Sequence, residues 1–405
     1  MPVTRSTLSA NLRGRKLDEF ADKFSKEHFD GKQQQLYLAW LKQRFTKGKH
    51  AIPLTVLDAL DQNKEHVFGN EAEMKKWVTD QGWADWVNAQ IFAAVSPTKR
   101  VADDVVICLD AETGKTLWKT SRPGAVVGFD GSSTPCVQGD RIYALGSQRV
   151  WCLDTQDGSV VWQTDLEGNR RGLGSSPLVE DGVLVVNVGK LTAFDTRAGG
   201  KLWTQEKAGG LHASPVLWSD GGRKLILING KNLSAVDLKN GTVAWSVPAG
   251  GDSTPTIEKD MLVTQSFDSA LGLVAYRLSA EKAEKLWNFP YPSDVERTQS
   301  SPIIFGGRVY LVDDNHSYCV DATTGKSIWS AKNQSTISSP TIADGRLFAM
   351  TNYGNTLMMV ACGTDEYREL GRATVRAVWV PSPCIVDGKL ILRLKDKVKA
   401  WSLVR

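Results

Sequence analysis

The chain has 405 residues, 41% of them hydrophobic and 23% charged, with 36 glycines, 14 tryptophans and a net charge of +4. Charges of both signs are interspersed without a long basic stripe, so nucleic-acid binding is not expected, and no run of apolar residues is long enough for a transmembrane helix. The opening residues MPVTRSTLSANLRGRKLDEF lack an apolar stretch behind their basic ones, so no signal peptide is expected and the chain as written is cytoplasmic.

Residues 1–85 read as a helical appendage of three or four helices. Leu17, Phe20, Ala21 and Phe24 recur at helical spacing, and Leu36, Tyr37, Trp40 and Leu41 do so again. Pro53 and Gly69 punctuate the pattern. A further helix is expected over 70–81, where Asn70 supplies a cap, Met74, Trp77 and Val78 share a face, and Gly82 ends it.

From residue 86 to 405 the pattern is all-β: short Val, Ile and Leu runs separated by Gly, Asp and Asn turns. A repeat is legible in VVICLDAETGKTLW, VWCLDTQDGSVVW, LTAFDTRAGGKLW, LSAVDLKNGTVAW and SYCVDATTGKSIW, with VAYRLSAEKAEKLW as a degenerate copy. Trp118, Trp162, Trp203, Trp245, Trp287 and Trp329 follow one another at 41 to 44 residues. The other half of each unit opens on a small polar residue and a proline, as in SSTPCV, SSPLVE and DSTPTI, a position where proline starts a strand without removing a ladder donor from its middle. Four antiparallel strands per unit cannot bury both faces alone, and closure into a propeller buries them against neighbours. The turn glycines adopt positive φ cheaply, the preceding Asp bonds turn amides, and the tryptophan fills the wedge between blades.

Ahead of the first hairpin, NAQIFAAVS is expected to serve as one more strand, with no proline-led strand before it. The last unit supplies three strands. Eight blades are favoured and seven are possible. Closure is expected to use a strand lent between the two ends or by residues 45–60, because a bare edge invites aggregation.

The loops that enter the first strand of each unit should gather at one mouth of the channel. They carry Arg170, Arg171, His212, Asp252, Arg297 and Arg376, a set that could form a funnel for an anionic ligand. Asp313 and Asp314 read as solvated loop carboxylates, and the repeated serines, among them Ser175, Ser176, Ser300, Ser301, Ser338 and Ser339, as tight packing near the axis. Six scattered cysteines without CxxC or CxxCH spacing encode neither a zinc ribbon nor a covalent haem, and several read as core residues inside apolar strands. GxSxG, HExxH and Walker motifs are absent, so no catalytic or metal-ligating residue is assigned.

The AxDxxTGxxxW hairpin with its SxP strand start resembles the PQQ-repeat (quinoprotein-like) β-propeller family, which includes quinoprotein dehydrogenases and a non-enzymatic outer-membrane assembly lipoprotein. The enzymes hold the quinone in the channel with calcium, use an Asp base, and many stack the cofactor on adjacent cysteines. This chain has no adjacent cysteine pair. The resemblance is closest to the non-enzymatic members and implies a binding or scaffold propeller that engages a protein partner or small anionic ligand at the channel mouth. The alternative it leaves open is a degenerate or unusual PQQ-dependent oxidoreductase, with PQQ and calcium as cofactors. Such relatives are usually periplasmic or exported.

Overall fold

Four helices precede the strands among the residues described by a computed structural model, which are 22–23, 26–27, 31–47, 51–63, 66–94, 103–124, 133–147, 149–166, 174–290, 299–334, 336, 338–378 and 381–403. They are α1 (Gly31–Lys47), α2 (Leu54–Gln62), α3 (Glu71–Asp80) and α4 (Asp85–Ala94). Asn70 caps α3 by accepting the Glu73 N–H at 2.9 Å, while the Glu73 carboxylate accepts the Gly69 N–H at 2.8 Å. Ile52, Val56, Val78, Val87 and Ile91 form the core of this unit. Leu17, Phe20, Ala21 and Phe24 lie outside the described residues.

Two expectations for this region are corrected. The segment NAQIFAAVS is helical through Ala94, because Val87 and Ile91 stand four residues apart on one face and are buried with Val56 and Val78. Among the described residues of 45–60 there is no strand, since α1 runs to Lys47 and α2 begins at Leu54. Contacts divide the chain into Met1–Arg100 and Val101–Arg405; the expected division at 85/86 falls at the start of α4.

The second unit is an all-β propeller of seven blades. A hairpin, β1 (Asp104–Leu109) and β2 (Thr116–Arg122), comes first. Blade 1 is β3 (Cys136–Gln138), β4 (Arg141–Leu145), β5 (Arg149–Asp154) and β6 (Val160–Asp165), an antiparallel meander in chain order. Blades 2 to 6 repeat it with β7–β10 (178–205), β11–β14 (216–247), β15–β18 (256–289), β19–β22 (303–332) and β23–β26 (341–374). Blade 7 has three strands, β27 (Cys384–Val386), β28 (Lys389–Arg393) and β29 (Val398–Ser402). The favoured count of eight is corrected to seven because the first unit contributes only its two-stranded hairpin, with no inner pair of strands among the described residues.

Register explains the tryptophan repeat. In the third and outer strands Cys108 pairs with Trp118, Cys152 with Trp162, Ala193 with Trp203, Ala235 with Trp245, Ala275 with Trp287 and Cys319 with Trp329, each beside a bulge. Each of the first five indoles donates its N–H to a turn carbonyl of the following blade: Trp118 to Thr155, Trp162 to Thr196, Trp203 to Leu238, Trp245 to Ser279 and Trp287 to Ala322. The buried clusters lie between neighbours, as where Val150, Cys152 and Trp162 of blade 1 meet Leu184, Val186 and Phe194 of blade 2.

The small residues before the prolines do more than pack. The hydroxyl of Ser176 accepts the Thr134 N–H of the preceding blade at 2.9 Å, and the same link recurs from Ser176 to Ser214, Ser214 to Thr254, Thr254 to Ser301 and Ser301 to Ser339 at 2.9 to 3.1 Å. The Thr341 hydroxyl carries the line to the Pro383 carbonyl. A girdle of backbone-to-hydroxyl bonds therefore joins the inner strands of the seven blades, which gives the SxP motif a stitching role.

Candidate functional site

In an antiparallel four-stranded meander the loop that enters each inner strand and the turn between second and third strands come out at the same end of the sheet. Here they interlock. Gly189 N–H donates to Gly210, Gly251 N–H to Gly230 and Ala377 N–H to Gly354 at 2.8 to 3.0 Å. The approach at Gly230 is so close that a Cβ would overlap the Gly209 carbonyl.

The second strands of the blades end on Leu145, Asn187, Asn229, Gln265, Asp313, Thr351 and Arg393. The five from Asn187 to Thr351 are polar and fully buried. Asn187 donates its amide to the Ala213 carbonyl of blade 3 at 2.9 Å, Asn229 to the Gln265 carbonyl of blade 4 at 2.9 Å, and Gln265 to the Ser300 carbonyl of blade 5. Each amide thereby ties its blade to the next.

Asp313 takes the same position in blade 5 with a carboxyl group. Its Oδ1 accepts the Asp314 N–H at 2.9 Å, and its Oδ2 is buried with no hydrogen-bond partner among the described residues. Burial, aided by the charge of Asp314, pushes its pKa up to about 7. The reading of Asp313 and Asp314 as solvated loop carboxylates is corrected: Asp313 ends a strand and both are buried. The sequence signal that exposes this polar ring is an alignment of second-strand ends, where amides and Asp313 recur among apolar neighbours.

The residues expected at the mouth are placed as follows. His212 lies half-buried in the loop entering blade 3, where a Cβ on Gly174 would stand 2.7 Å from its Nδ1. Asp252 lies in the loop entering blade 4; burial raises its pKa, and the nearby His212 lowers it in part. Those two are brought together. Arg376 is exposed in the loop entering blade 7 and leans on the blade 6 turn, its N–H 3.5 Å from the Asn355 carbonyl. Arg170, Arg171 and Arg297 lie outside the described residues.

Sequence reasoning missed the apolar rim. Phe267 in the blade 4 turn is 61% exposed and Tyr353 in the blade 6 turn 54%. Asn352, Tyr353 and Arg376 all hold left-handed backbone, with φ of +50°, +53° and +51°, a conformation that costs non-glycine residues energy and collects at functional surfaces. Among the described residues no group of three His, Cys, Asp or Glu side chains could hold a metal ion.

The family described as outer membrane protein assembly factor BamB matches residues 102–252 and 187–401. Among solved structures the chain is similar to BamB from Moraxella catarrhalis, at 19% identity over 65% of this chain and 82% of that one, with a TM-score of 0.51. It is also similar to the computationally designed Ika8 protein, at 15% identity over 76% and 94%, TM-score 0.55. A europium-containing methanol dehydrogenase gives 12% identity over 66% and 76%, TM-score 0.51. These likenesses are of fold. No curated protein matches in sequence.

Proposed function

Since the chain belongs to the PQQ-repeat β-propeller family described as outer membrane protein assembly factor BamB, we propose that it is a non-enzymatic binding propeller that engages a protein partner at the loop-lined mouth. The observation that carries this reading is the division of labour there. Buried polar groups tie blade to blade, while Phe267, Tyr353 and Arg376 are left facing outward. Exposed aromatic and arginine side chains are the chemistry of interface hot spots. The same surface includes the loops of His212 and Asp252.

The test is a comparison of immobilised wild type with a Phe267→Ala, Tyr353→Ala, Arg376→Ala triple variant in native-source extract. A partner retained by the first and at least tenfold depleted on the second, at matched melting temperature, is expected; equal retention overturns the reading. Reduction of an artificial electron acceptor by an alcohol or sugar, after addition of PQQ and calcium, would establish the oxidoreductase alternative instead.

A further inference from the structure

Three loops of the mouth are knitted together over blades 6 and 7. The N–H groups of Val375 and Ala377, in the loop entering blade 7, donate to the carbonyls of Asn355 and Gly354 in the blade 6 turn at 2.9 and 3.0 Å. On its other side the same loop runs antiparallel to the turn of blade 7: Ala377 pairs with Leu394, and the Val378 N–H lies 3.4 Å from the Arg393 carbonyl. Ala377 and Leu394 are buried in one cluster with Met350, Leu390 and Leu392. The residues that flank this pair on the outer side, Arg376 and Lys395, are therefore neighbours across the joint, and both are exposed.

That arrangement costs the fold energy, because like charges on opposed residues of an antiparallel pair repel. Elsewhere at the mouth lysines are neutralised, as where Lys190 reaches Glu206 at 3.4 Å and Lys397 reaches Asp396 at 3.7 Å. Arg376 and Lys395 make no such ion pair among the described residues. The same joint holds Arg376 at φ +51° and Tyr353, beside Gly354, at φ +53°, and leaves the Tyr353 ring exposed. Neighbouring cations without an acid, left-handed backbone in two adjoining loops and an uncovered aromatic ring are each unfavourable for folding alone. Such features collect where a surface is kept for a ligand.

Resting on the reading of the mouth as a partner site, we propose that this joint receives an acidic segment of the partner protein, with a carboxylate between Arg376 and Lys395 and an apolar side chain beside Tyr353. A carboxylate placed there offsets the repulsion between the two cations and takes charge-assisted hydrogen bonds from both. The short reach of the positive charge selects a peptide. Nucleic acid and anionic lipid surfaces are held by rows of cations, whereas Asp396 follows Lys395 directly and the whole chain carries a net charge of only +4. The exposed Tyr353 ring adds an apolar contact of the kind that peptide side chains supply.

The probe is a fluorescein-labelled peptide, Gly-Glu-Glu-Phe-Glu-Glu-Gly, titrated against the full chain by anisotropy, with its Gln-for-Glu counterpart as control. Saturable binding with a Kd of about 10–100 μM is expected, at least tenfold tighter than the control and weakening as salt is raised from about 0.02 to 0.2 M. Lys395→Glu should weaken it at least tenfold, whereas Lys190→Gln, at a cation already paired, should leave it unchanged. Lys395→Glu should also raise the melting temperature by about 1 °C, because it faces Arg376 with the opposite charge. No saturation by about 1 mM, equal binding of the Gln control, or equal binding by Lys395→Glu overturns the proposal. A melting temperature lowered by Lys395→Glu assigns the lysine to support of the fold and overturns it too. So does a dimer of the isolated chain that Lys395→Glu dissolves, which assigns the joint to a second copy. The two readings fail separately: if Lys395→Glu retains the extract partner that the Phe267, Tyr353 and Arg376 triple variant loses, this inference falls and the mouth reading stands.

Discussion

The indole of Trp118 rests on Gly158 so closely that a Cβ at Gly158 would stand 2.7 Å from the ring carbon Cδ2. Gly158 also has φ +70°, so two independent demands exclude a side chain. Gly158→Ala is expected to cost about 2–4 kcal/mol by urea unfolding, from left-handed strain together with overpacking. Gly139→Ala separates the two: with φ +60° and nothing within 4 Å of its Cβ position, it should cost about 1 kcal/mol. Equal losses would show that the tryptophan contact adds nothing.

The girdle makes a prediction about one hydroxyl. Ser214→Ala removes the acceptor of the Ser176 N–H and should lower stability by about 1–2 kcal/mol. Ser214→Thr should retain most of it, since Thr254 fills the same position in the next blade. A loss with threonine as large as with alanine would place the effect in packing.

Asp313 sets a pH dependence. Its carboxyl rises from the usual 3.8 to about 7 on folding, so between those values the folded chain holds a proton that the unfolded chain has released. Its contribution is full below about pH 4 and falls by about 1.4 kcal/mol per pH unit up to about pH 7, then levels off. Asp313→Asn supplies the amide that Asn187 and Gln265 carry at this position. The variant should melt higher than wild type at pH 8 by at least about 2 °C, with little difference near pH 4. Parallel melting profiles would remove Asp313 as the titrating group.

Tyr353 couples strain to exposure. With φ +53° and an exposed ring, it is a residue whose replacement by glycine should stabilise the fold by about 1 kcal/mol. The same Tyr353→Gly change should weaken retention of the partner at the mouth. A stabilised variant with undiminished retention would show that the ring is not part of the contact.

The blades were legible because the period is written in large residues: Trp118, Trp162 and their successors mark each joint, and Asp and Gly mark each turn. The blade count was not, because a hairpin and a three-stranded end look like two partial units until their strand pairing is known. NAQIFAAVS misled because a short apolar run fits helix or strand equally, and the choice was made by the tertiary contacts of Val87 and Ile91. The mouth was half legible. Loops at equivalent positions could be named, and His212 and Asp252 do meet, but Asp313 sat in an acidic LVDDN string that reads as a turn. Its burial comes from the strand it ends, β20 (Arg308–Asp313), and from the blade beside it.

The girdle uses the same two atoms at nearly every boundary, a backbone nitrogen and a hydroxyl oxygen. Such a stitch carries no address: Ser176 would meet the amide of any unit built like its neighbour. A duplicated or deleted repeat would find matching partners on both sides, so the number of units can change in descent without new chemistry having to arise at the seams. What individual blades acquire of their own, such as Asp313 or Tyr353, can then diverge unit by unit while the stitch stays the same.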